Sequence, residues 1–256
     1  MKKKYRFKPR FFVIIAVFLA LVIALSSCTI NKISDSKAKK AEKKAEKEIA
    51  RQIEEERVNQ LKADGNNGLF ILVNKQNSVE QWYVPADLAP ITAYYAEDRM
   101  ASTRFMRAEA ADAFMKLAGD AAAQGLDIVM TTAYRSYDYQ SVLWNNNVNR
   151  YGNEIDANVI SAKPGQSEHQ TGLAVDISTA DIGYQLLESF ADTDEGKWIA
   201  EHAHEYGFIL RYLEGKSDIT GYVYEPWHIR YVGKTAAAEI KDSGLTLEEY
   251  LDQLEL

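Results

Sequence analysis

Apolar and polar positions divide the chain into three parts. Residues 11–25 are apolar without a break, residues 35–64 consist largely of Lys, Glu and Ala, and the rest mixes apolar and polar positions as folded domains do. In the second part, Ala and Ile recur every three or four residues as a thin apolar stripe, which favours a charged, partly helical stalk over residues 29–64 rather than a coiled coil. Turn-forming residues at 64–68 then mark the start of a folded domain over residues 65–256.

The periodicity after residue 65 predicts a mixture of helices and strands. Apolar residues at helical spacing predict helices over residues 103–123, 137–151, 183–190, 196–206 and 245–256. Short apolar or alternating runs predict strands over residues 69–73, 126–132, 208–212 and 228–232. Strands and helices do not alternate strictly along the chain, so an α+β fold with a largely antiparallel sheet is expected.

The first 28 residues have the features of an export signal. Six of the first ten are Lys or Arg, the apolar segment of residues 11–25 follows, and Ser26, Ser27 and Cys28 come next. This apolar segment is shorter than the about 20 residues that a membrane-spanning helix needs. Residues 25–28 resemble the lipobox of bacterial lipoproteins, which implies cleavage and lipidation at Cys28; an uncleaved signal anchor is the alternative. Both interpretations place the remaining chain on the extracellular face of the bacterial membrane, tethered to it.

The composition is that of a soluble globular protein and argues against some functions. Hydrophobic residues account for 46% and charged residues for 26% of the 256 positions. The formal net charge of -7 argues against nucleic-acid binding, because nucleic-acid-binding proteins present a basic surface to the phosphates. Cys28 is the single cysteine, so no internal disulfide can form. The sequence shows no internal repeat, and we expect a monomer.

Two of the four histidines lie near carboxylates in a pattern that suits metal binding. His169 lies on a turn that enters a strand, and the alternating run of residues 173–177 places Asp176 on the face opposite to the apolar side chains. His228 follows Glu225 by three positions. These residues are the first candidates for a metal centre.

The other two histidines do not suit a shared metal site. His202 and His204 lie two residues apart in a predicted helix, where their side chains point in nearly opposite directions. The HExxH pattern of many zinc peptidases is absent from the sequence. A role as ordinary helix residues is the simpler interpretation of both.

Two histidines and one carboxylate form the usual ligand set of a catalytic zinc ion, which leaves a fourth coordination position open. A second carboxylate that stays off the metal can take a proton from water and pass it to the leaving group, and Glu225 is placed for that role. A structural histidine and a turn-capping aspartate are the alternatives for His169 and Asp176. Arg135 emerges after the predicted strand 126–132, and its planar guanidinium suits a carboxylate, with a surface ion pair as the alternative.

Three motifs in this order resemble those of the VanY-type D-alanyl-D-alanine carboxypeptidases. This family belongs to the LAS group of zinc peptidases, which includes lysostaphin-type enzymes and the hedgehog signalling domain. The motifs are YRSxxxQ, SxHxxGxAxD and ExWH, and the matching residues are Tyr134, Arg135, Ser136 and Gln140, then Ser167, His169, Gly172, Ala174 and Asp176, then Glu225, Trp227 and His228. The resemblance covers residues 68–243, and the ordered combination is far more specific than any one motif.

The resemblance implies an α+β fold in which a small antiparallel sheet, flanked by helices, carries a zinc ion. The implied zinc ligands are His169, Asp176 and His228, and the implied substrate contacts are Arg135, Gln140 and Ser167. Glu225 would act as the catalytic base and then as the acid. Arg135 would bind the terminal carboxylate of the substrate, because the free C-terminus is what marks the substrate of a carboxypeptidase.

The activity implied by the resemblance is removal of the C-terminal D-alanine from peptidoglycan stem peptides. A D,D cut of a pentapeptide and an L,D cut of a tetrapeptide both stay open, because both substrates end in D-alanine with a free carboxylate. An endopeptidase and a catalytically silent zinc-dependent binding module are alternatives within the same group. Arg135 argues against the endopeptidase, since an internal cut presents no free carboxylate. Glu225 argues against the silent module, which needs no catalytic base.

Overall fold

The computed structural model describes residues 32–97 and 100–254. The predicted signal peptide over residues 1–28, with the lipidation site Cys28, lies outside the described residues. Within that described part of the chain, no helix is both long enough and apolar enough to cross a membrane.

Helix α1 spans Lys32–Asn66 and covers most of the predicted stalk. The chain divides into two compact units, Met1–Glu56 and Arg57–Leu256. In the first unit, the side chains of residues 40–56 are nearly all exposed. Lys, Glu and Ala have high intrinsic helix propensity, and oppositely charged side chains at helical spacing add to it, which explains a helix without a buried face.

The last turns of α1 belong to the second unit and pack within it. Leu61 is fully buried in an apolar cluster that includes Ile209 and Leu247. Arg57 forms an ion pair with Glu239 at 2.7 Å. The end of the predicted stalk thus contributes to the core of the folded domain.

The remaining strands and helices all lie in the second unit. The strands are Leu88–Pro90 (β1), Phe105–Arg107 (β2), Val129–Thr132 (β3), Ala174–Ser178 (β4), Phe208–Tyr212 (β5) and Glu225–Tyr231 (β6). The α-helices are Ala108–Ala122 (α2), Tyr137–Tyr151 (α3), Glu154–Ile160 (α4), Asp194–His202 (α5), Ser217–Thr220 (α6), Lys234–Ser243 (α7) and Leu247–Gln253 (α8). Short 3-10 turns connect several of these elements.

The four longer strands form one antiparallel sheet in the order β3-β4-β6-β5, while β1 pairs with β2. The predicted α+β fold with a small antiparallel sheet and flanking helices is confirmed. Side chains alternate between the two faces of each strand, so Val175 of β4 and Ile229 of β6 join Phe114 of α2 in the main core. Asp176 and His228 occupy the opposite face of the same two strands.

The helix predicted for residues 103–123 begins later than expected. Phe105–Arg107 forms β2, and α2 starts at Ala108. Backbone hydrogen bonds of 2.8 Å tie this segment to Tyr134 and Gly172. These long-range bonds hold the backbone extended against its local helical periodicity.

The strand predicted for residues 69–73 was wrong. The carbonyl oxygens of Leu69 and Ile71 accept hydrogen bonds from the guanidinium of Arg230, at 2.9 and 2.8 Å. These bonds replace the pairing with a neighbouring strand that the apolar run suggested.

The helix predicted for residues 183–190 was also wrong. Gly183 and Tyr184 have φ angles of 62° and 56°, which a right-handed helix cannot include. A 3-10 turn over Glu188–Asp192 follows instead. The other predicted helices and strands are confirmed, with ends that differ by a few residues.

Candidate metal centre and active site

The three predicted zinc ligands come together on the two central strands of the sheet. The register of β4 and β6 places Asp176 directly opposite His228. His169 lies in a 3-10 turn, Glu168–Thr171, that leads into β4. Gly172 ends this turn with a φ of 67°, a left-handed conformation that favours glycine. One potential ligand atom of each of the three residues lies within 4.8 Å of the others.

Hydrogen bonds orient the two histidine rings differently. Nδ1 of His169 donates to the carbonyl oxygen of Ala133 at 2.6 Å, so Nε2 faces Asp176 and lies 3.2 Å from its Oδ2. In His228, Nδ1 lies 2.8 Å from Oδ1 of Asp176, and Nε2 lies 3.4 Å from Oε2 of Glu168. All three ligand side chains are at most 4% exposed.

The donor atoms of this cluster fit a zinc ion. His169 Nε2 is buried 3.2 Å from Oδ2 of Asp176, and among the described residues it has no hydrogen-bond partner. Burial lowers the pKa of His169 to about 4, which leaves the ring neutral near pH 7 with a lone pair on Nε2. Zinc takes imidazole nitrogen and carboxylate oxygen at about 2.0–2.2 Å, and ligand atoms this close together can meet one such ion.

Glu225 begins β6 and lies beside the ligand His228. Its Oε2 is 3.9 Å from His228 Nδ1, and its side chain is 15% exposed. Burial raises the pKa of Glu225 to about 7, even though His228 acts in the opposite direction. A carboxyl group with a pKa near neutral can both accept and donate a proton, as the predicted base and acid role requires.

Arg135 emerges just after β3 and points toward the metal ligands. Nη1 donates to Oε1 of Gln140 at 2.9 Å, and Nη2 donates to Oδ2 of Asp176 at 3.4 Å. Its Nε is buried without a hydrogen-bond partner within residues 32–97 and 100–254. A guanidinium held on one side and with an unpaired donor on another is suited to bind a carboxylate.

Gln140 is buried next to Arg135, and both ends of its side-chain amide are engaged. Oε1 accepts from Arg135, and Nε2 donates to the carbonyl oxygen of Ala162 at 2.8 Å. This geometry allows Gln140 to orient the guanidinium. Ser167 is buried directly before the turn that carries His169. Direct substrate contact by Gln140 or Ser167 stays a prediction.

A cleft of about 600 Å³ opens beside the metal ligands. Arg135 and Asp176 both line it. The other lining side chains are mostly apolar or uncharged and include Met100, Thr132, Tyr139, Leu143, Gln185 and Leu186. Clefts of about 300–1,000 Å³ accommodate ligands of small-molecule size, so a short peptide end can enter here.

Three charged residues behind the metal centre were missed by the sequence analysis. Glu168, Arg211 and Arg230 are at most 1% exposed, and Glu168 accepts from the two arginines at 2.7 and 2.8 Å. Burial alone would raise the pKa of Glu168, but the two arginines hold it well below its usual range. The available signal was an arginine inside each of two apolar strands, in FILRY and HIRYV.

The two histidines that were set aside do not join the metal centre. His202 ends α5, and its Nδ1 lies 3.0 Å from a carboxylate oxygen of Glu205. His204 lies in the 3-10 turn that follows. Neither belongs to the group of potential metal ligands found in the described residues.

The fold and this site together define a class of protein. Two histidines and an aspartate converge on a small antiparallel sheet, with a buried glutamate, an arginine and an open cleft beside them, as in a zinc metallocarboxypeptidase. Residues 103–234 match the family model of VanY, described as D-alanyl-D-alanine carboxypeptidase, and the chain belongs to this family.

Known relatives support the same assignment. YodJ of Bacillus subtilis (strain 168), whose carboxypeptidase name is provisional, is 45% identical over 186 residues, which cover 73% of this chain and 68% of the relative. The LD-carboxypeptidase LdcB, whose structure was solved to explain peptidoglycan recognition, is 44% identical in sequence to this chain. The two structures match with a TM-score of 0.70 over 74% of this chain and 88% of that chain.

A third relative bears on the metal. A mutant of the vancomycin resistance D,D-pentapeptidase VanY from a VanB-type cassette, solved in complex with Zn(II), is 33% identical with a TM-score of 0.59. It covers 71% of this chain and 98% of that chain. With the donor set described above, this similarity identifies zinc as the cofactor. The chain is a zinc carboxypeptidase of the VanY family.

Proposed function

We propose that this carboxypeptidase is tethered to the extracellular face of the membrane and removes the C-terminal D-alanine from peptidoglycan stem peptides. The position of Arg135 carries the proposal, because its guanidinium lies 3.4 Å from the zinc ligand Asp176. A free carboxylate bound by Arg135 brings the last peptide bond of the substrate next to the metal ligands and Glu225. The cleft lined by Arg135 and Asp176 leaves room for the preceding part of the stem.

The polar side chains of the site divide the hydrolysis between them. When bound, zinc supplies a Lewis acid that polarises the scissile carbonyl and makes hydroxide available near neutral pH. Glu225 accepts the proton as water adds to the carbonyl carbon, and it donates that proton to the amide nitrogen as the C–N bond breaks. Arg135, oriented by Gln140, holds the carboxylate of the departing D-alanine. The products are a stem with a new C-terminal carboxylate and free D-alanine.

Of the two possible cuts, we favour the L,D cut of a tetrapeptide stem. The LD-carboxypeptidase LdcB is 44% identical to this chain with a TM-score of 0.70. The corresponding values for the D,D-pentapeptidase VanY are 33% and 0.59. The match to LdcB covers 74% of this chain and that to the D,D-pentapeptidase covers 71%.

Product masses on two stem lengths test this assignment. The purified chain, loaded with zinc, is incubated separately with tetrapeptide and pentapeptide stems, and released D-alanine is measured by mass spectrometry. We expect D-alanine from the tetrapeptide, with kcat/KM about tenfold or more above that for the pentapeptide. A preference for the pentapeptide would reverse the favoured cut. Release from neither stem, or products of internal cleavage only, would contradict the carboxypeptidase proposal.

The membrane tether is tested at Cys28. If this residue is lipidated, a labelled fatty acid should be incorporated into the wild-type chain in bacterial cells, and Cys28→Ser should abolish both the label and the cleavage of the signal. Ser36→Ala, beyond the signal, serves as the control and should retain the label. A wild-type chain that stays in the membrane fraction without any label would instead indicate an uncleaved anchor.

A further inference from the structure

A continuous network of buried charges connects the metal centre with the C-terminal helix. Oε1 of Glu168 accepts from Nε of Arg211 at 2.7 Å and from Nη1 of Arg230 at 2.8 Å. Arg211 also donates through Nη1 and Nη2 to both carboxylate oxygens of Glu248 in α8, at 2.8 and 2.6 Å. The side chains of Glu168, Arg211 and Arg230 have no exposed surface, and that of Glu248 is 13% exposed.

The two carboxylate oxygens of Glu168 have different partners. Oε1 is held by both arginines, whereas Oε2 lies 3.4 Å from Nε2 of the zinc ligand His228. Both ring nitrogens of His228 thus face a carboxylate oxygen, Nδ1 that of Asp176 at 2.8 Å and Nε2 that of Glu168. If zinc takes the lone pair of Nδ1 beside Asp176, the remaining ring proton lies on Nε2, where Glu168 can accept it.

Burying this charged network behind the sheet costs more free energy of desolvation than burying apolar residues would. Buried ion pairs lose hydration, and apolar residues of similar volume often stabilise a protein equally well or better. Here every charge nevertheless has partners, since Arg230 also donates to the carbonyl oxygens of Leu69 and Ile71. Such a set of bonds fixes the position of the Glu168 carboxylate, which points to a role in orientation rather than in stability alone.

We propose that Glu168 is a positioning residue for the zinc ligand His228, and that Arg211, Arg230 and Glu248 hold Glu168 in the required orientation. Histidines that bind metals generally donate their second ring N–H to an acceptor, which sets the tautomer and the direction of the ring. The C-terminal helix α8 lies beyond the residues 103–234 that match the family, and it contributes to the metal centre through Glu248. The proposal rests on the zinc site and not on the choice of scissile bond.

Glu168→Gln tests the hydrogen bond to His228 directly. The oxygen of glutamine can stay with the two arginines, but its amide nitrogen then faces Nε2 of His228. Two donors cannot pair, so the ring favours a proton on Nδ1, where it competes with zinc. We expect the Kd for zinc to rise about 10- to 100-fold, measured by competition with a chelator without any substrate. An unchanged zinc affinity in a folded variant would overturn the proposal.

Two neighbouring glutamates in the first turn of α8 provide a matched comparison. Glu248 pairs with Arg211, whereas Glu249 pairs with Lys216 and caps the helix with Thr246. We expect Glu248→Gln to weaken zinc binding severalfold and Glu249→Gln to leave the zinc affinity unchanged, even where both lower the melting temperature. Equal zinc affinities for the two variants would contradict the role of Glu248 in the network.

Two further measurements separate positioning from folding and from the proposed activity. At saturating zinc, Glu168→Gln should lower kcat without raising KM, because the carboxylate anchor Arg135 is unchanged. In the zinc-loaded wild type, nitrogen NMR should show a slowly exchanging proton on Nε2 of His228. A proton on Nδ1, or a freely exchanging one on Nε2, would overturn the proposal whether or not the variant folds. If the wild type binds zinc normally but cleaves no stem peptide, the proposed function is contradicted and the positioning role of Glu168 is not.

Discussion

Glu225→Gln is expected to lower kcat for stem-peptide hydrolysis about a thousandfold while zinc remains bound. Glutamine has the size of glutamate, but it cannot take a proton from water or return one to the leaving amine. Burial raises the pKa of Glu225 to about 7, so the native carboxyl can exchange a proton in both directions near neutral pH. KM should change little, because Arg135 and the cleft still bind the substrate.

The metal content and a surface variant control this experiment. Glu225 lies outside the group of residues that can share one metal ion, so zinc measured by elemental analysis should equal that of the wild type. Glu214→Gln removes an exposed glutamate of the same domain and should keep wild-type kcat. A loss of zinc would mean that Glu225 is a ligand, and a kcat within tenfold of wild type would disprove its role as the base.

Arg135→Ala is expected to lower kcat/KM about a hundredfold for stems that end in a free carboxylate. The guanidinium supplies charge-assisted hydrogen bonds to the terminal carboxylate, and alanine leaves that carboxylate unpaired in a cleft with the carboxylate of Asp176. The sharper readout is the preference for a free carboxylate over a C-terminal amide. The wild type should prefer the free carboxylate strongly, and Arg135→Ala should lose most of this preference.

The comparison of the two substrate ends separates anchoring from damage to the metal site. Arg135 also lies near Asp176, so zinc affinity is measured for the variant in parallel. Arg150→Ala removes an exposed arginine from α3 and should retain the full preference for a free carboxylate. If Arg135→Ala trims free-ended stems at the wild-type rate, the argument against an endopeptidase fails.

Local sequence signals predicted the parts of the fold that depend on near neighbours. The helix predicted for residues 137–151 has both ends as predicted, because the Ser136 side chain caps its first turn and Gly152 ends it with a left-handed φ of 78°. Alternation in residues 173–177 placed Asp176 opposite to the core, and the burial of Val175 in the main cluster confirms it. The same signals failed where distant contacts compete, as in Phe105–Arg107.

The motifs predicted the three residues that the structure brings together as potential metal ligands, but not the residues that hold them. Glu168 is adjacent to His169 in the chain, yet its role depends on Arg211 and Arg230, which lie about forty and sixty positions away. The substrate contact expected of Gln140 stays a prediction, and the structure adds that its side chain joins Arg135 to a backbone carbonyl. Which polar groups meet inside a fold depends on packing, and periodicity contains no information about it.

By itself, then, the sequence determined the faces of the strands, the ends of the capped helices and the set of potential zinc ligands. Only the tertiary structure decided that β4 lies beside β6 in the register that pairs Asp176 with His228. It also decided that the carbonyls of Leu69 and Ile71 serve Arg230 instead of a strand. The physical reason is the same in each case: local periodicity records which way a side chain points, whereas strand register and buried hydrogen bonds join residues that are far apart in the chain.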